Sequence, residues 1–256
     1  MILVLGEILF DLFPDGKKLG GAPFNFSFHL KNLGFDVRFV SRVGKDANGR
    51  EIIDFLGTHG FSLDDIQIDP DHATGMVRIL IQENGSHEFK ILSNAAWDNI
   101  SCDRRLCHLL ETPPDLIYFG SLIQRQASGQ ELIQKILAAR KTPTKIFCDI
   151  NLRPASHSPE TVKTCLGACD ILKLSHEELI EITGIDPFAP SLEGRMKGFM
   201  ADHGIGLVIL TMGSKGSQWF AADKTHKIVP DTFFEPLDTV GAGDAYAAVS
   251  AAGLAL

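Results

Sequence analysis

From Leu116 onward the chain alternates short apolar runs with amphipathic segments, and no other feature limits its fold as much. Leu116–Phe119, Ile146–Ile150, Ile171–Leu174 and Leu207–Thr211 have the length and composition of buried strands. Between them, about Ser128–Arg140, Glu160–Leu166, His176–Ile182 and Leu192–Asp202 read as helices. Such alternation predicts a parallel sheet covered by helices, because each parallel connection must cross back over the sheet. The N-terminal part adds strands at Ile2–Gly6 and Val37–Val40. It also adds a helix over Phe26–Leu33 that stops at Gly34, and an amphipathic helix over about Arg50–His59.

The pattern changes between Ile66 and Leu92. Met76–Gln82 and His87–Leu92 are short strand candidates around the turn Glu83-Asn84-Gly85-Ser86, and they read as an antiparallel pair. The extended piece Ile8–Phe13 runs into a second turn signal, Pro14-Asp15-Gly16. Together these segments predict a small sheet projecting from the main body. A late hairpin is expected from Gly216–Ala221 and Lys227–Val229. No repeat, low-complexity segment or linker interrupts the chain, so residues 1–256 read as one α/β domain with a small β insertion.

Composition narrows the function. A formal charge of −8 over 256 residues argues against a general nucleic-acid binder. No apolar run has the length of a membrane span, and Met1–Gly6 lacks the basic start of a signal peptide. The expected address is cytoplasmic. The five cysteines, Cys102, Cys107, Cys148, Cys165 and Cys169, form no Cys-x-x-Cys pair, and their odd number argues for reduced thiols. Cys165 and Cys169 are spaced for one helix face, where buried structural cysteines are the simplest reading. The nine histidines contain no His-Glu-x-x-His pattern, so no zinc site is expected.

The chemistry concentrates near the end, in Leu237-Asp238-Thr239-Val240-Gly241-Ala242-Gly243-Asp244-Ala245-Tyr246. Two glycines flanking an alanine free the backbone to turn and to approach a ligand, and the small residues that follow favour a helix. A helix N-terminus at the glycines attracts an anion. Asp244 sits in the first turn, either as a helix cap or as a base for an attacking hydroxyl. Anion cradle and base together suit phosphoryl transfer, in which positioning and charge stabilisation supply most of the catalysis. A dinucleotide fold would carry Gly-x-Gly-x-x-Gly after its first strand, and nothing of that kind follows Ile2–Gly6. Gly204-Ile205-Gly206 precedes its strand instead, and no P-loop sequence occurs.

Six motifs follow one another along the chain: Gly20-Gly21-Ala22-Pro23-x-Asn25, Val43-Gly44-x-Asp46-x-x-Gly49, Asp149-x-Asn151-x-Arg153, Ser175-x-x-Glu178, Thr211-x-Gly213-x-x-Gly216 and Asp238-Thr239-x-Gly241-Ala242-Gly243-Asp244. In this order they resemble the ribokinase-like (PfkB) family of sugar kinases, and they cover nearly the whole chain. Gly6-Glu7-Ile8-Leu9-Phe10-Asp11-x-Phe13-Pro14, Asp149–Pro154 and Leu174–Glu178 are most similar to fructokinases. The resemblance implies a central, mostly parallel α/β sheet flanked by helices. A small β-sheet lid, formed by about residues 8–20 and 66–92, would close over a sugar.

It also implies roles residue by residue. Asp11 and Asn25 would hydrogen-bond sugar hydroxyls, with Gly20 and Gly21 letting the backbone come close; turn and cap chemistry is the plainer alternative for both side chains. Arg153 would meet a phosphate or sugar oxygen, or else form a surface ion pair. Glu178 would help hold Mg²⁺ through water, or be an ordinary solvated helix residue, and Ser175 stands where the family often has Asn. Thr211, Gly213 and Gly216 would border ATP. Asp244 would act as base beside the backbone of Gly241, Ala242 and Gly243. The backbone of Asp238 and Val240 would serve a monovalent cation such as K⁺. The family usually continues past the final motif with helices that complete the adenine pocket, so that part is expected to be absent here. The implied activity is ATP-dependent phosphorylation of a small sugar, first of all fructose, with lids pairing in a homodimer. The alternatives are 2-keto-3-deoxygluconate or another small sugar as substrate, or a catalytically silent sugar- or nucleotide-binding protein.

Overall fold

The computed structural model describes residues 1–13, 16–81, 87–153, 156–232 and 239–255, with the backbone alone at 79–81, 87–89 and 255. In chain order the strands are β1 (Ile2–Leu5), β2 (Leu9–Phe13), β3 (Gly16–Gly20), β4 (Val37–Gly44), β5 (Ile66–Asp69), β6 (Gly75–Ile81), β7 (His87–Ile91), β8 (Leu116–Gly120), β9 (Lys145–Asp149), β10 (Ile171–Ser175), β11 (Leu207–Thr211), β12 (Ser217–Ala221) and β13 (Thr225–Ile228). The helices are α1 (Ala22–Asn32), α2 (Ala47–Thr58), α3 (Arg104–Glu111), α4 (Ala127–Ala139), α5 (Pro159–Ala168), α6 (His176–Thr183), α7 (Leu192–His203) and α8 (Ala242–Ala255). Among the described residues no helix is long and apolar enough to cross a membrane.

Nine strands form the large sheet in the order β13-β12-β11-β10-β9-β8-β1-β4-β5. The run from β11 to β5 is parallel, and β12 and β13 close one side antiparallel. Alternate residues feed opposite cores: Leu3 and Leu5 face one, Ile2 and Val4 the other. Leu106 of α3, Ile133 of α4, Cys165 of α5, Leu179 of α6 and Met196 of α7 pack on the first core. Leu30 of α1, Ile52 of α2 and Ala248 of α8 pack on the second. Double coverage explains why the central strands are apolar at consecutive positions rather than alternating with polar ones. On the second face α8 presents Ala247, Ala248, Ala251 and Ala252, all buried, and α1 lies directly against it. Phe26 of α1 stacks on Tyr118 of β8 with ring centroids 3.8 Å apart.

A separate four-stranded sheet has the order β3-β2-β6-β7. Its central pair, β2 and β6, is parallel, and each outer pair is antiparallel. The expected lid segment at 66–92 therefore divides. Ile66–Asp69 belongs to the large sheet, pairing in parallel with β4 from Ser41↔Ile66 to Gly44↔Asp69. Strand β4 is longer than expected for the same reason, since its second half carries that partner. Of the expected turns, Pro14 and Asp15 and the whole of Glu83–Ser86 lie outside the described residues.

Two helices start earlier than their apolar periodicity suggested. Helix α1 begins at Ala22 because Pro23, within the first two helical positions, has a backbone angle already set for a helix. Asn25 thus lies inside the first turn rather than capping it. Helix α2 begins at Ala47 because Asp46 caps it, its Oδ1 accepting from Gly49 N at 2.8 Å. The same carboxylate accepts from Thr74 N and Thr74 Oγ1, both at 2.8 Å, and Thr74 Oγ1 in turn accepts from Gly44 N at 3.0 Å. Asp46 therefore ties the end of β4 and the start of α2 to the entrance of β6, the root of the small sheet.

These bonds outweigh burial and hold the Asp46 carboxyl below its ordinary value of 3.8. A depressed carboxyl contributes stability that is full above its unfolded value and is lost as pH falls through the folded one. Asp46→Ala is expected to destabilise the fold by roughly 2–3 kcal/mol at neutral pH. The deficit should shrink below about pH 4, as read from urea melts at the two pH values.

Candidate active site

The site is assembled where two helices begin and two strands end. After β3 the chain reverses at Gly21, whose φ of +115° favours glycine. A Cβ there would lie 2.5 Å from the Glu7 carbonyl oxygen, so any side chain would push α1 away from the β1–β2 junction. The first turn of α1 then carries Asn25. On the other side the chain turns at Gly241, with φ +79°, and α8 starts at Ala242. Across the α1–α8 contact Asn25 Nδ2 donates to Asp244 Oδ2 at 2.8 Å. The first turns of both helices, with N–H groups that lack intrahelical partners, face the same space.

The floor comes from the last residue of β9 and the middle residue of β10. Lys173 Nζ donates to both oxygens of Asp149 at 2.9 Å, across a register that sets the two residues side by side. Asp149 is fully buried and Lys173 is 6% exposed, yet Lys173 lines the cavity under α8. A Cβ on Gly243 would come within 3.3 Å of its ammonium. The cavity, about 320 Å³, is walled further by Glu7, Asp11, Asn151, Arg153 and Asp244. A neighbouring recess of about 410 Å³ runs between Asp11, Lys18 and Gly20 of the small sheet and Asn25, Ala242 and Ala245 of the helices.

Charge is crowded here. Burial pushes the Glu7 carboxyl up to about 7, against its own backbone amide and Arg153. Burial likewise lifts Asp11 to about 6, opposed by Arg153 and reinforced by Asp244. Burial opposes the ionised form of Asp149, and the bidentate ammonium of Lys173 draws the carboxyl back towards it. For Lys173 the loss of water is outweighed by Asp149 and, farther off, Glu178 and Asp244, which hold the ammonium above its ordinary value.

Asp11, Gly20, Gly21, Asn25, Arg153, Gly241, Ala242, Gly243 and Asp244 thus line one or both of two recesses that share Asp11, Gly241 and Asn25. Glu178 does not line it and is not a solvated helix residue. Its Oε1 accepts from Leu152 N and its Oε2 from Ser175 N, both at 2.7 Å, while Ser175 Oγ accepts from Glu178 N at 3.3 Å. This capping box fastens the loop after β9 to the start of α6. Thr211, Gly213 and Gly216 lie at the end of β11 and line neither recess. Tyr246 ties α8 to the strand that follows them: its hydroxyl accepts from Trp219 Nε1 at 3.1 Å and bonds Ser217 Oγ. Val240 lines the cavity, whereas Asp238 lies outside the described residues.

Sequence reasoning passed over Lys173 and Glu7 and gave Asp149 no role, while Asn151 stood in a motif with a turn before Pro154 as its plainer reading. A signal existed for the first: a lysine inside Ile171-Leu172-Lys173-Leu174, on a strand covered on both faces, requires a buried partner. Asn151, at φ +41°, is one of two non-glycine residues with positive φ among those described, a strain that sequence does not reveal.

The family whose sequence model matches is "pfkB family carbohydrate kinase", over residues 15–256. A fructokinase from Vibrio alginolyticus is 26% identical, over 96% of this chain and 81% of its own length. The crystal structure of a fructokinase from Vibrio cholerae O395 with fructose, ADP and calcium ion bound superposes with a TM-score of 0.80 at 25% identity, covering 96% of this chain and 81% of that one. An uncharacterized sugar kinase from Pyrococcus horikoshii, in complex with ATP, shares the fold with a TM-score of 0.81 at 24% identity, over 100% of this chain and 85% of its own. The chain belongs to the pfkB family of carbohydrate kinases, phosphotransferases that act on a sugar hydroxyl.

Proposed function

We propose that the protein transfers the γ-phosphoryl group of ATP to the primary hydroxyl of fructose, with Asp244 as the base. The observation that carries this reading is the Asn25–Asp244 hydrogen bond at the first turn of α8. It orients the carboxylate and leaves Asp244 Oδ1 for the acceptor hydroxyl. In the transfer, Asp244 takes the hydroxyl proton, the sugar oxygen bonds to phosphorus, and the bond from phosphorus to the ADP oxygen breaks. The N–H groups that begin α8 and the ammonium of Lys173 stabilise charge on the transferring group. Asp11 and Arg153 bind sugar hydroxyls, and the small sheet excludes water. Fructose is favoured because the fructokinase at 25% identity was solved with fructose and ADP.

Among the described residues no group of three or more His, Cys, Asp or Glu side chains converges to hold a metal. Both Glu178 oxygens already accept an amide. These residues fit Mg²⁺ that arrives on the nucleotide phosphates and meets Glu178 only through water. Bound there, the ion would neutralise phosphate charge. Thr211, Gly213 and Gly216 border the nucleotide side of this arrangement. A homodimer through the outer strands β3 and β7 fits their unpaired outer edges among the described residues. Sedimentation velocity should then give twice the monomer mass, and a monomer at high concentration would exclude it.

ADP release measured over a sugar panel tests the reaction. Fructose-dependent release is expected, and Asp244→Asn should lower kcat by about 10²–10⁴ while sugar binding persists. Lys173→Met should lower kcat by about 10²–10³. Pairing it with Asp149→Asn should restore stability, since no lone buried charge remains, but not turnover. Release that depends on another sugar would keep the mechanism and replace the substrate.

A second expectation concerns Asp11. The folded protein keeps a proton on this group up to about pH 6, where the unfolded chain has already released it above 3.8. Stability therefore falls as pH rises through that window. Asp11→Asn is expected to melt higher than wild type at neutral pH and equally at pH 4, while KM for the sugar rises.

A further inference from the structure

Two of the five thiols stand apart from the rest. Cys148, Cys165 and Cys169 are buried, whereas Cys102 is half-buried and Cys107 is exposed. Their two sulfurs lie 3.4 Å apart. Local structure brings them together. Asp103 caps α3, accepting from Leu106 N at 2.9 Å, so Cys102 precedes the cap and Cys107 is the fourth helical residue. Those are the two positions that a hydrophobic staple joins at a helix start, and the reduced thiols fill that role.

Both sides of the pair are held in place. Gln67 of β5 donates to Ser101 O at 2.8 Å and to Asp103 Oδ2 at 3.1 Å, and its oxygen accepts from Ser101 N at 2.9 Å. In the first turn of α3, Arg105 bonds buried Asp65 at 3.1 Å. The loop before the cap and the helix after it are therefore both fastened to the β5 region, with the sulfurs held 3.4 Å apart between them.

We propose that Cys102 and Cys107 form a dithiol site that closes to an intramolecular disulfide when oxidised by a small disulfide of the glutathione class. The exposed Cys107 thiolate attacks one sulfur of that disulfide, and the first glutathione thiolate leaves. Cys102 then gives up its proton and attacks Cys107 Sγ, and the second glutathione thiolate leaves. Two protein thiols are oxidised, one glutathione disulfide is reduced to two thiols, and the two protons pass to the leaving thiolates. Closing the ring shortens the sulfur separation to about 2 Å.

The order of attack follows from the surroundings. Burial, the hydrogen bond to Cys107 and the proximity of Cys107 raise the Cys102 thiol to about 11, with Asp103 adding and Lys135 opposing. Cys102 is thus a poor first nucleophile. Once Cys107 carries glutathione, the hydrogen bond and the neighbouring titrating sulfur are gone, and Cys102 becomes the better attacking group.

The test is treatment of the full-length protein with oxidised glutathione, followed by intact-mass and peptide mapping. Wild type should lose the mass of two hydrogens, yield a Cys102–Cys107 crosslinked peptide, and show two fewer maleimide-reactive thiols after unfolding. Dithiothreitol should reverse all three. Cys102→Ser should stop at a glutathione adduct on Cys107, and Cys107→Ser should take neither adduct nor crosslink. Far-UV circular dichroism confirms that each variant is folded. Wild type that accumulates the Cys107 adduct without a crosslink, or that keeps both thiols free, would overturn the proposal and leave the pair a hydrophobic staple.

Discussion

A parallel sheet covered on both faces leaves almost no room for charge along its strands. Each polar atom placed there must be paired inside the protein or carried to a strand end. Near the middle of the large sheet the ion pair of Asp149, the last residue of β9, and Lys173 in β10 follows this rule, each charge answered by the other. Open α/β sheets bind ligands at the carboxyl ends of their strands, because there the helices that follow start and the backbone N–H groups face outward. The pair therefore does two things at once. It satisfies two buried charges that would each be costly alone, and it holds an ammonium directly under the first turn of α8.

Around that point the structure accepts local instability in return for chemistry. Glu7, Asp11 and Asp149 all sit where burial opposes their ionised form. Gly21 and Asn151 hold backbone angles with positive φ. The compensation lies elsewhere, in the two apolar cores and in joints such as Asp46 with Thr74 and Glu178 with Leu152 and Ser175. Both acids occupy motif positions, and the resemblance credits Glu178 with Mg²⁺ while giving Asp46 no role. Asp46 and Glu178 each use their carboxylate to accept backbone amides from two separate segments, so the recurring acids of these motifs act as fasteners of the chain around the cavity.

Much of the fold was legible because its elements are periodic and its strands are covered on both sides. The strands from Leu116 onward and the glycine turn before α8 lie where pattern and turn chemistry put them. The start of α1 was not legible from apolar periodicity, since Ala22 and Pro23 lie ahead of the periodic run and the signal there is the proline in the first turn. Nor was the sheet membership of Ile66–Asp69, because a strand of four residues does not encode which neighbour it will meet. The wall formed by Asp11, Asn25, Arg153 and Asp244 was legible from motif order. The floor was not: Asp149 and Lys173 become one unit only when β9 and β10 lie side by side.

Two carboxyl groups outside the ion pair, Glu7 and Asp11, bear on the charge of the whole molecule. The formal charge of −8 counts every Asp and Glu as ionised. In the folded chain burial lifts Glu7 to about 7 and Asp11 to about 6, so at neutral pH the native protein carries less negative charge than that sum. The unfolded chain recovers the full value. Folded and unfolded molecules at one pH would therefore migrate differently in an electric field, and an unbuffered solution near neutrality would turn more acidic as the protein unfolds.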